Sequence, residues 1–399
     1  MQEKVYLVYR NIRALITSIF FVIFRIFPVN RKKVVFCNLE GQGGYGCNPK
    51  YIAEELILQG KADKKYELFW LADDTTKPFP REIKVVSNNF FTRVYHLSTA
   101  GVWVDNSRKA LGTLKRKNQV YIQTWHGAIG FKPVGKLRKE GLPRIAYKIS
   151  ANDSKMIDCF LSNSDWSTGI CKDGFLYDGE IIKTGSPRCD ILINSKNRQY
   201  RKIREKYHLP LNAKIIIYAP TFRGGSQKTV RQVKMEKSDL NMELLIKTLE
   251  RQDGEEWFVF TRLHPQVTHY LKKYSLFEQD KKVIDVSPED DMYEILAGVD
   301  ALITDYSSVG FDACFMRLPV FIYADDLENY TSERGRLLWD IYALPFSVST
   351  GNEELMDNIK NHNQKMYEDK LENFFEKVGL LEDGNAGKRV VNLIERLTL

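Results

Sequence analysis

Four short segments carry residues able to move a proton or hold a phosphate: Gln123-Thr124-Trp125-His126-Gly127, Tyr218-Ala219-Pro220-Thr221-Phe222-Arg223, Thr261-Arg262-Leu263-His264-Pro265 and Ile303-Thr304-Asp305-Tyr306-Ser307-Ser308-Val309-Gly310-Phe311-Asp312. An imidazole titrates near neutral pH, so His126 could take a proton from a hydroxyl. Its plainer reading is a ring hydrogen-bonded inside the fold. Arg223 offers a two-pronged guanidinium and Thr221 a hydroxyl, against the plain reading of a strand end with a solvated arginine. Arg262 and His264 are two apart, so in extended chain they point the same way and can clamp one phosphate. Ser307 and Ser308 stand where a helix would open, and they either only cap it or also complete an anion site that needs no metal.

Each of these segments follows a short apolar run. Lys33–Leu39, Tyr66–Ala72, Gly101–Asp105, Gln119–Trp125 and Cys159–Ser162 read as buried strands, with a helix over Tyr51–Gln59 opened by Pro49. A second series follows: Lys214–Ala219, Trp257–Arg262, Lys282–Asp285, Ala301–Thr304 and Val320–Tyr323 as strands, and Met242–Arg251 and Met292–Ala297 as helices. Ser195–Lys206, rich in charge, reads as a helix linking the two series. Strand–helix alternation predicts parallel, doubly wound sheets, whose carboxyl ends face the ligand crevice. The expected organisation is an α/β protein of two Rossmann-like domains facing a cleft, over 31–195 and 196–399, with the last helix packing back on the first domain.

Composition narrows the classes. The chain has 399 residues, 43% hydrophobic and 28% charged, which suits two globular domains and excludes a disordered or fibrous polymer. Lys+Arg 59 against Asp+Glu 51 leaves +8, matching an anionic partner without a basic arm. No basic patch interleaves with aromatics, so no nucleic acid is expected. The six cysteines form no CxxC pair and read as reduced thiols. Gly41-Gln42-Gly43-Gly44-Tyr45-Gly46 matches GxGxxG, but Cys47-Asn48-Pro49 intervene before the helix, so it reads as a loop shaping a cleft and not a dinucleotide site. No P-loop, HExxH, GxSxG or Asp-x-Asp is present, so no cofactor and no metal are expected, and protein cations would neutralise any bound diphosphate.

Residues 1–30 contain the apolar run Ala14–Phe24, preceded by Arg10 and Arg13 and followed by Arg25, Arg31, Lys32 and Lys33. The run falls short of the roughly 20 residues of a spanning helix. It reads as an amphipathic helix on an anionic membrane surface, with a buried core helix as the alternative.

Taken in order, Trp125-His126-Gly127, Tyr218–Arg223, Arg262–Pro265 and Ile303–Ser308 resemble the CDP-glycerol glycerophosphotransferase family, which includes teichoic acid primases and polymerases. Asn48-Pro49-Lys50, Thr184–Asp190, Phe311-Asp312, Tyr330, Arg334-Gly335 and Asp383–Ala386 support the resemblance, which runs from about Lys33 to the C-terminus. It implies a GT-B-like fold on the cytoplasmic face of the membrane. It also implies transfer of an alditol phosphate from a CDP-alditol to a lipid-linked acceptor, with release of CMP. His126 then matches the base and His264 the second required histidine. Thr221, Arg223, Arg262, His264, Ser307 and Ser308 fall on donor-binding motifs, with Asp312 and Arg334 in matching segments. Gly43, Tyr45, Asn48 and Lys132 fall on the acceptor side. The loop Gly127-Ala128-Ile129-Gly130-Phe131-Lys132 departs from the family's usual Gly-Thr-Pro-Leu-Lys beside the base, so the resemblance fixes neither the acceptor nor the alditol, and the Gly41–Gly46 loop bears on acceptor choice too. Readings outside this activity are a GT-B sugar transferase using a nucleotide sugar, ribitol-phosphate transfer, and a non-catalytic membrane scaffold.

Overall fold

The computed structural model describes residues 2–221, 239–263 and 281–398, with the side chains of residues 2–4, 140–141 and 333–334 outside that description. By its contacts the chain divides into two units. Unit 1 is Met1–Ala128, Pro133–Asp190 and Val378–Leu399; unit 2 is Ile129–Lys132 and Ile191–Lys377.

Unit 1 is built on β1 (Asn30–Cys37), β2 (Glu67–Ala72), β3 (Ile83–Ser87), β4 (Ala100–Asp105), β5 (Val120–Gln123), β6 (Cys159–Ser162) and β7 (Glu180–Lys183). They form one sheet in the order β3-β2-β1-β4-β5-β6-β7, all pairs parallel. Crossovers on both faces bury the central strands: Val34, Phe36, Val102, Val104 and Ile122 pack on one side, and Val35, Trp103, Tyr121 and Phe160 on the other. Strands buried on both faces lack alternation, which is why β1 reads as an unbroken apolar run. Strand order reverses between β1 and β4, and it is outside the carboxyl ends at such a switch point that open α/β sheets bind ligands.

The C-terminal helix Ala386–Thr398 belongs to unit 1. Asp190 fixes its first turn, accepting from the amides of Ala386 at 3.0 Å and Gly387 at 2.7 Å. A carboxylate there satisfies orphan N–H groups and complements the helix dipole. Burial raises the Asp190 pKa to about 6, partly offset by those two amides.

Unit 2 carries β8 (Lys214–Ala219), β9 (Trp257–Thr261), β10 (Val283–Asp285), β11 (Ala301–Thr304), β12 (Val320–Tyr323) and β13 (Ser347–Ser349), in the order β10-β9-β8-β11-β12-β13, again all parallel. Its switch point lies between β8 and β11. The strands β3, β7 and β13 escape the sequence reading because they lie toward sheet edges, where half-buried strands carry weaker apolar signals. Lys196–Lys206 is no free linker. Arg204 is 0% exposed and donates to the carbonyls of Ala213 and Gly298, both at 2.8 Å, while pairing with Asp300 at 2.7 Å. A charge run thus conceals one core arginine with all its partners inside unit 2.

The N-terminal helix spans Gln2–Ile23, longer than the apolar run alone suggests. Phe20 meets the edges of Phe90 and Phe91, Phe21 is buried, and the Ser18 hydroxyl donates to the Gly112 carbonyl at 2.9 Å. The remaining face is bare. Val5, Val8, Ile12, Leu15, Ile19, Val22 and Ile26 follow a three-four spacing and are all exposed. By length and composition alone Val5–Ile26 is long and apolar enough to cross a membrane, with Arg10, Arg13 and Arg25 inside that span.

Candidate functional site

In unit 1 the site grows from the turn after β5. Gln123 is buried, and its Oε1 accepts from the Trp125 amide at 2.9 Å. Trp125 holds a left-handed backbone, φ 52°, rare for a bulky residue and affordable only where neighbours enforce it. Asn48 enforces it: its Nδ2 donates to the carbonyls of Trp125 at 2.9 Å and Thr124 at 3.3 Å. The turn delivers His126 to the rim, its ring stacked on Trp125 at 4.3 Å.

The Nδ1 of His126 lies 2.7 Å from the carbonyl oxygen of Asn106. A carbonyl only accepts, so Nδ1 carries the proton and Nε2 keeps a bare lone pair. Asn106 follows β4 at the switch point and is itself locked, donating to Asn38 Oδ1 at 2.7 Å and accepting from the Leu39 amide at 2.8 Å. Below it, Asp105 accepts from the Ser107 amide at 2.9 Å and pairs with Lys109. His126 is exposed, at the end of this turn. Desolvation first, then Arg188 and Arg108, holds its pKa below the ordinary 6.5, against the Asn106 hydrogen bond and Asp105. The ring is therefore a neutral imidazole near pH 7 with one acceptor nitrogen free to serve as a base.

The acceptor-side residues named from sequence have divergent places. Asn48 is only 3% exposed and acts on the His126 turn, so it positions and does not present itself. Gly43 has no room for a side chain: a Cβ would meet the Asn38 carboxamide at 2.5 Å, and that carboxamide donates to the Gly43 carbonyl at 3.0 Å. Tyr45 packs its ring on Trp70 and Phe79, at 5.1 and 5.2 Å. Lys132 groups with unit 2, where Ile129 and Phe131 are buried and Phe131 packs on Phe311 at 4.7 Å. Those two apolar anchors carry Lys132 to the Tyr330 ring, 5.8 Å from its centroid.

In unit 2 the switch point joins two of the predicted segments. The Thr221 amide donates to both oxygens of Asp305, at 2.8 and 2.9 Å, and its hydroxyl donates there too. Arg262 is buried and spends one nitrogen on the Val286 carbonyl at 2.9 Å. Burial lowers its pKa, opposed by Asp291, Glu289 and Asp290. Ser307 and Ser308 are half-buried. They do not cap in the expected manner: Ser308 makes no side-chain cap bond, and the Val309 amide reaches Ser307 Oγ only at 3.5 Å. The helix they open, Val309–Ala313, is a little over one turn. Asp312 is 0% exposed and accepts from the Tyr293 hydroxyl beneath this helix. Arg334 ends the helix Leu327–Arg334. Arg223 and His264 lie outside the described residues.

Sequence reasoning missed Asn106 and Arg108, and it quoted Arg188 only within Thr184–Asp190, without a role. The signal was present in Asp105-Asn106-Ser107-Arg108-Lys109, a polar cluster directly after a buried strand. Among the described residues all six cysteines are free, and no group of His, Cys, Asp and Glu is placed to hold a metal ion.

Comparison with known proteins agrees with this architecture. The chain is 29% identical to a teichoic acid poly(glycerol phosphate) polymerase of Bacillus spizizenii over 98% of this chain and 99% of that one. It is 28% identical to a teichoic acid glycerol-phosphate transferase of Staphylococcus aureus over 92% and 93%. It spans about half the length, 51%, of a poly(glycerol phosphate) polymerase of Staphylococcus epidermidis, at 30% identity. Among solved structures, the wall teichoic acid polymerase TagF superposes with TM-score 0.80 at 26% identity, covering 98% of both chains. A histidine variant of that polymerase soaked with CDPG gives the same score. A UDP-GlcNAc 2-epimerase of Methanocaldococcus jannaschii, TM-score 0.52 and 13% identity, shares the fold alone. The fold is thus the GT-B-like pairing of two parallel α/β sheets. The sequence profile of CDP-glycerol:poly(glycerophosphate) glycerophosphotransferases matches residues 19–396, and the chain belongs to that family.

Proposed function

We propose that this enzyme transfers glycerol phosphate from CDP-glycerol to a hydroxyl of a lipid-linked acceptor in teichoic acid or related cell-surface polymer synthesis, releasing CMP. One observation carries the reading: the Asn106 carbonyl fixes the proton on Nδ1 of His126 and leaves Nε2 as a base. In this scheme Nε2 takes the acceptor hydroxyl's proton as its oxygen attacks the β-phosphorus. The bond to the bridging oxygen breaks, and CMP departs with that oxygen. Charge spreads over the phosphoryl oxygens and leaving group, so fixed cations and hydroxyls supply most of the stabilisation.

Arg262, Thr221, Ser307 and Ser308, with Arg223 and His264, hold the donor diphosphate. Thr221 acts mainly by orienting Asp305 and the β8–β11 switch point, since its hydroxyl is committed there. His264 serves as the second histidine, near the diphosphate. Arg334 and Lys132 lie on the donor side of the scheme, and Asp312 supports the serine helix.

The enzyme works as a peripheral, monotopic protein on the cytoplasmic face of the membrane. Supporting this are the bare apolar stripe from Val5 to Ile26 and the flanking Arg10, Arg13 and Arg25. Relatives that are ribitol-phosphate polymerases, such as one of Bacillus spizizenii at 28% identity, make CDP-ribitol the competing donor. The test is CMP release from CDP-glycerol, CDP-ribitol and a nucleotide sugar, each with a lipid-linked acceptor. CMP from CDP-glycerol supports the reading. Nucleoside diphosphate from the sugar donor alone would replace it with glycosyl transfer.

A further inference from the structure

Arg108 stands two residues after Asn106, whose carbonyl sets the His126 tautomer. Its guanidinium lies 4.9 Å over the Trp125 ring and 5.1 Å over the Phe175 ring. Trp125 and Phe175 meet edge to face at 4.6 Å, and Trp125 stacks on His126. Aromatic rings hold a guanidinium by its flat face, and the in-plane N–H groups remain to be used. One of them is unused: Nη2 is buried and meets no acceptor among the described residues.

The carboxylates whose charge reaches Arg108, Asp153 and Glu40, do not bond that nitrogen. Asp153 accepts from the Lys109 amide at 2.9 Å and the Tyr121 hydroxyl at 3.1 Å. Asp105 is engaged by Ser107 and Lys109. A buried cationic donor left without an acceptor is costly, so its persistence beside a free imidazole nitrogen points to an anion that arrives with substrate.

We infer that Arg108 binds an anionic oxygen of the acceptor, the phosphate that an already extended acceptor carries a few bonds from its terminal hydroxyl. The inference rests on the transfer reading above. A guanidinium fork grips a phosphate through two N–H groups, and a grip beside His126 brings the hydroxyl to Nε2 in one orientation. Arg108 is thereby a specificity residue: it favours extending an alditol-phosphate end over starting on a neutral one.

The test uses the full chain, CDP-glycerol, and two soluble lipid-linked acceptor analogues, one ending in glycerol phosphate and one ending in an uncharged sugar. Arg108→Gln should raise KM for the phosphate-ended acceptor at least tenfold and hold KM for CDP-glycerol within twofold. The kcat/KM preference for the phosphate-ended acceptor should shrink by the same factor. Arg108→Lys, which keeps a cation near the rings but neither the planar stack nor the fork, should fall between, and it carries the test if the glutamine variant does not fold. A rise confined to the CDP-glycerol KM would assign Arg108 to the transferred phosphoryl group and overturn the inference, as would unchanged constants. Wild-type enzyme that releases no CMP from any CDP-alditol would instead overturn the transfer reading beneath it.

Discussion

Asn48, in the first turn of the helix Cys47–Leu58, which starts directly after Gly46 and not at Pro49, donates its carboxamide to the Trp125 carbonyl at 2.9 Å and accepts the Arg188 amide at 3.1 Å. One buried side chain thereby joins the glycine-loop helix, the His126 turn and the segment after β7. Asn48→Ala should cost about 1–3 kcal/mol of stability, since it removes the bonds to three backbone groups, the Thr124 and Trp125 carbonyls and the Arg188 amide. It should also lower kcat for CMP release more than it raises either KM, because Trp125 can then relax from its left-handed backbone. Thermal unfolding and steady-state kinetics check both parts.

His126→Gln should reduce kcat by ~10²–10⁴-fold, the usual contribution of one general base. CDP-glycerol binding by calorimetry should stay within about threefold, as expected of a group acting in the transition state. The depressed imidazole pKa places the acid limb of the wild-type rate profile below the ordinary value of 6.5. Activity should therefore fall only as pH drops past that value, and the residual rate of the variant should lack this limb.

Arg262→Ala should weaken CDP-glycerol binding at least tenfold, the scale of one charge-assisted hydrogen bond, about 1.5–3 kcal/mol. Calorimetry gives the answer directly, and an unchanged dissociation constant removes Arg262 from the donor site.

Asp153 supplies a pH signature of the buried network under the site. Burial chiefly raises its pKa from 3.8 to about 7. Across that interval the folded chain retains a proton the unfolded chain has lost, so this residue's contribution to stability declines as pH rises through it. Asp153→Asn keeps the Oδ1 acceptor for Lys109 and Tyr121 and removes the titration. The variant should gain on wild type in urea denaturation as pH rises from about 4 to about 7.

The stripe on the N-terminal helix predicts vesicle binding. Replacing Ile12 and Ile19 together by Glu should reduce co-sedimentation with anionic phospholipid vesicles by more than tenfold, since each apolar side chain buried contributes about 1.5–3 kcal/mol. Both residues are exposed, at 54% and 48%, so the unfolding midpoint should hardly move.

The linear chain determined the two α/β series, the strand ends that bear chemistry, and the family. Apolar runs, turn residues and motif order are local properties, and they suffice to place His126, Thr221, Arg262 and Ser307 after strands. Tertiary structure alone decided which groups those side chains bond and how deeply they are buried. Asn48 and Asp312 are buried, and each bonds a group from another element, the Trp125 carbonyl and the Tyr293 hydroxyl. Arg204 hides in a charged run, and Lys132 follows Phe131 into unit 2. The tautomer of His126 is likewise set by a carbonyl 20 residues away in sequence. Hydrogen-bond direction and burial depend on which distant backbone groups converge, and spacing along a chain does not encode that convergence.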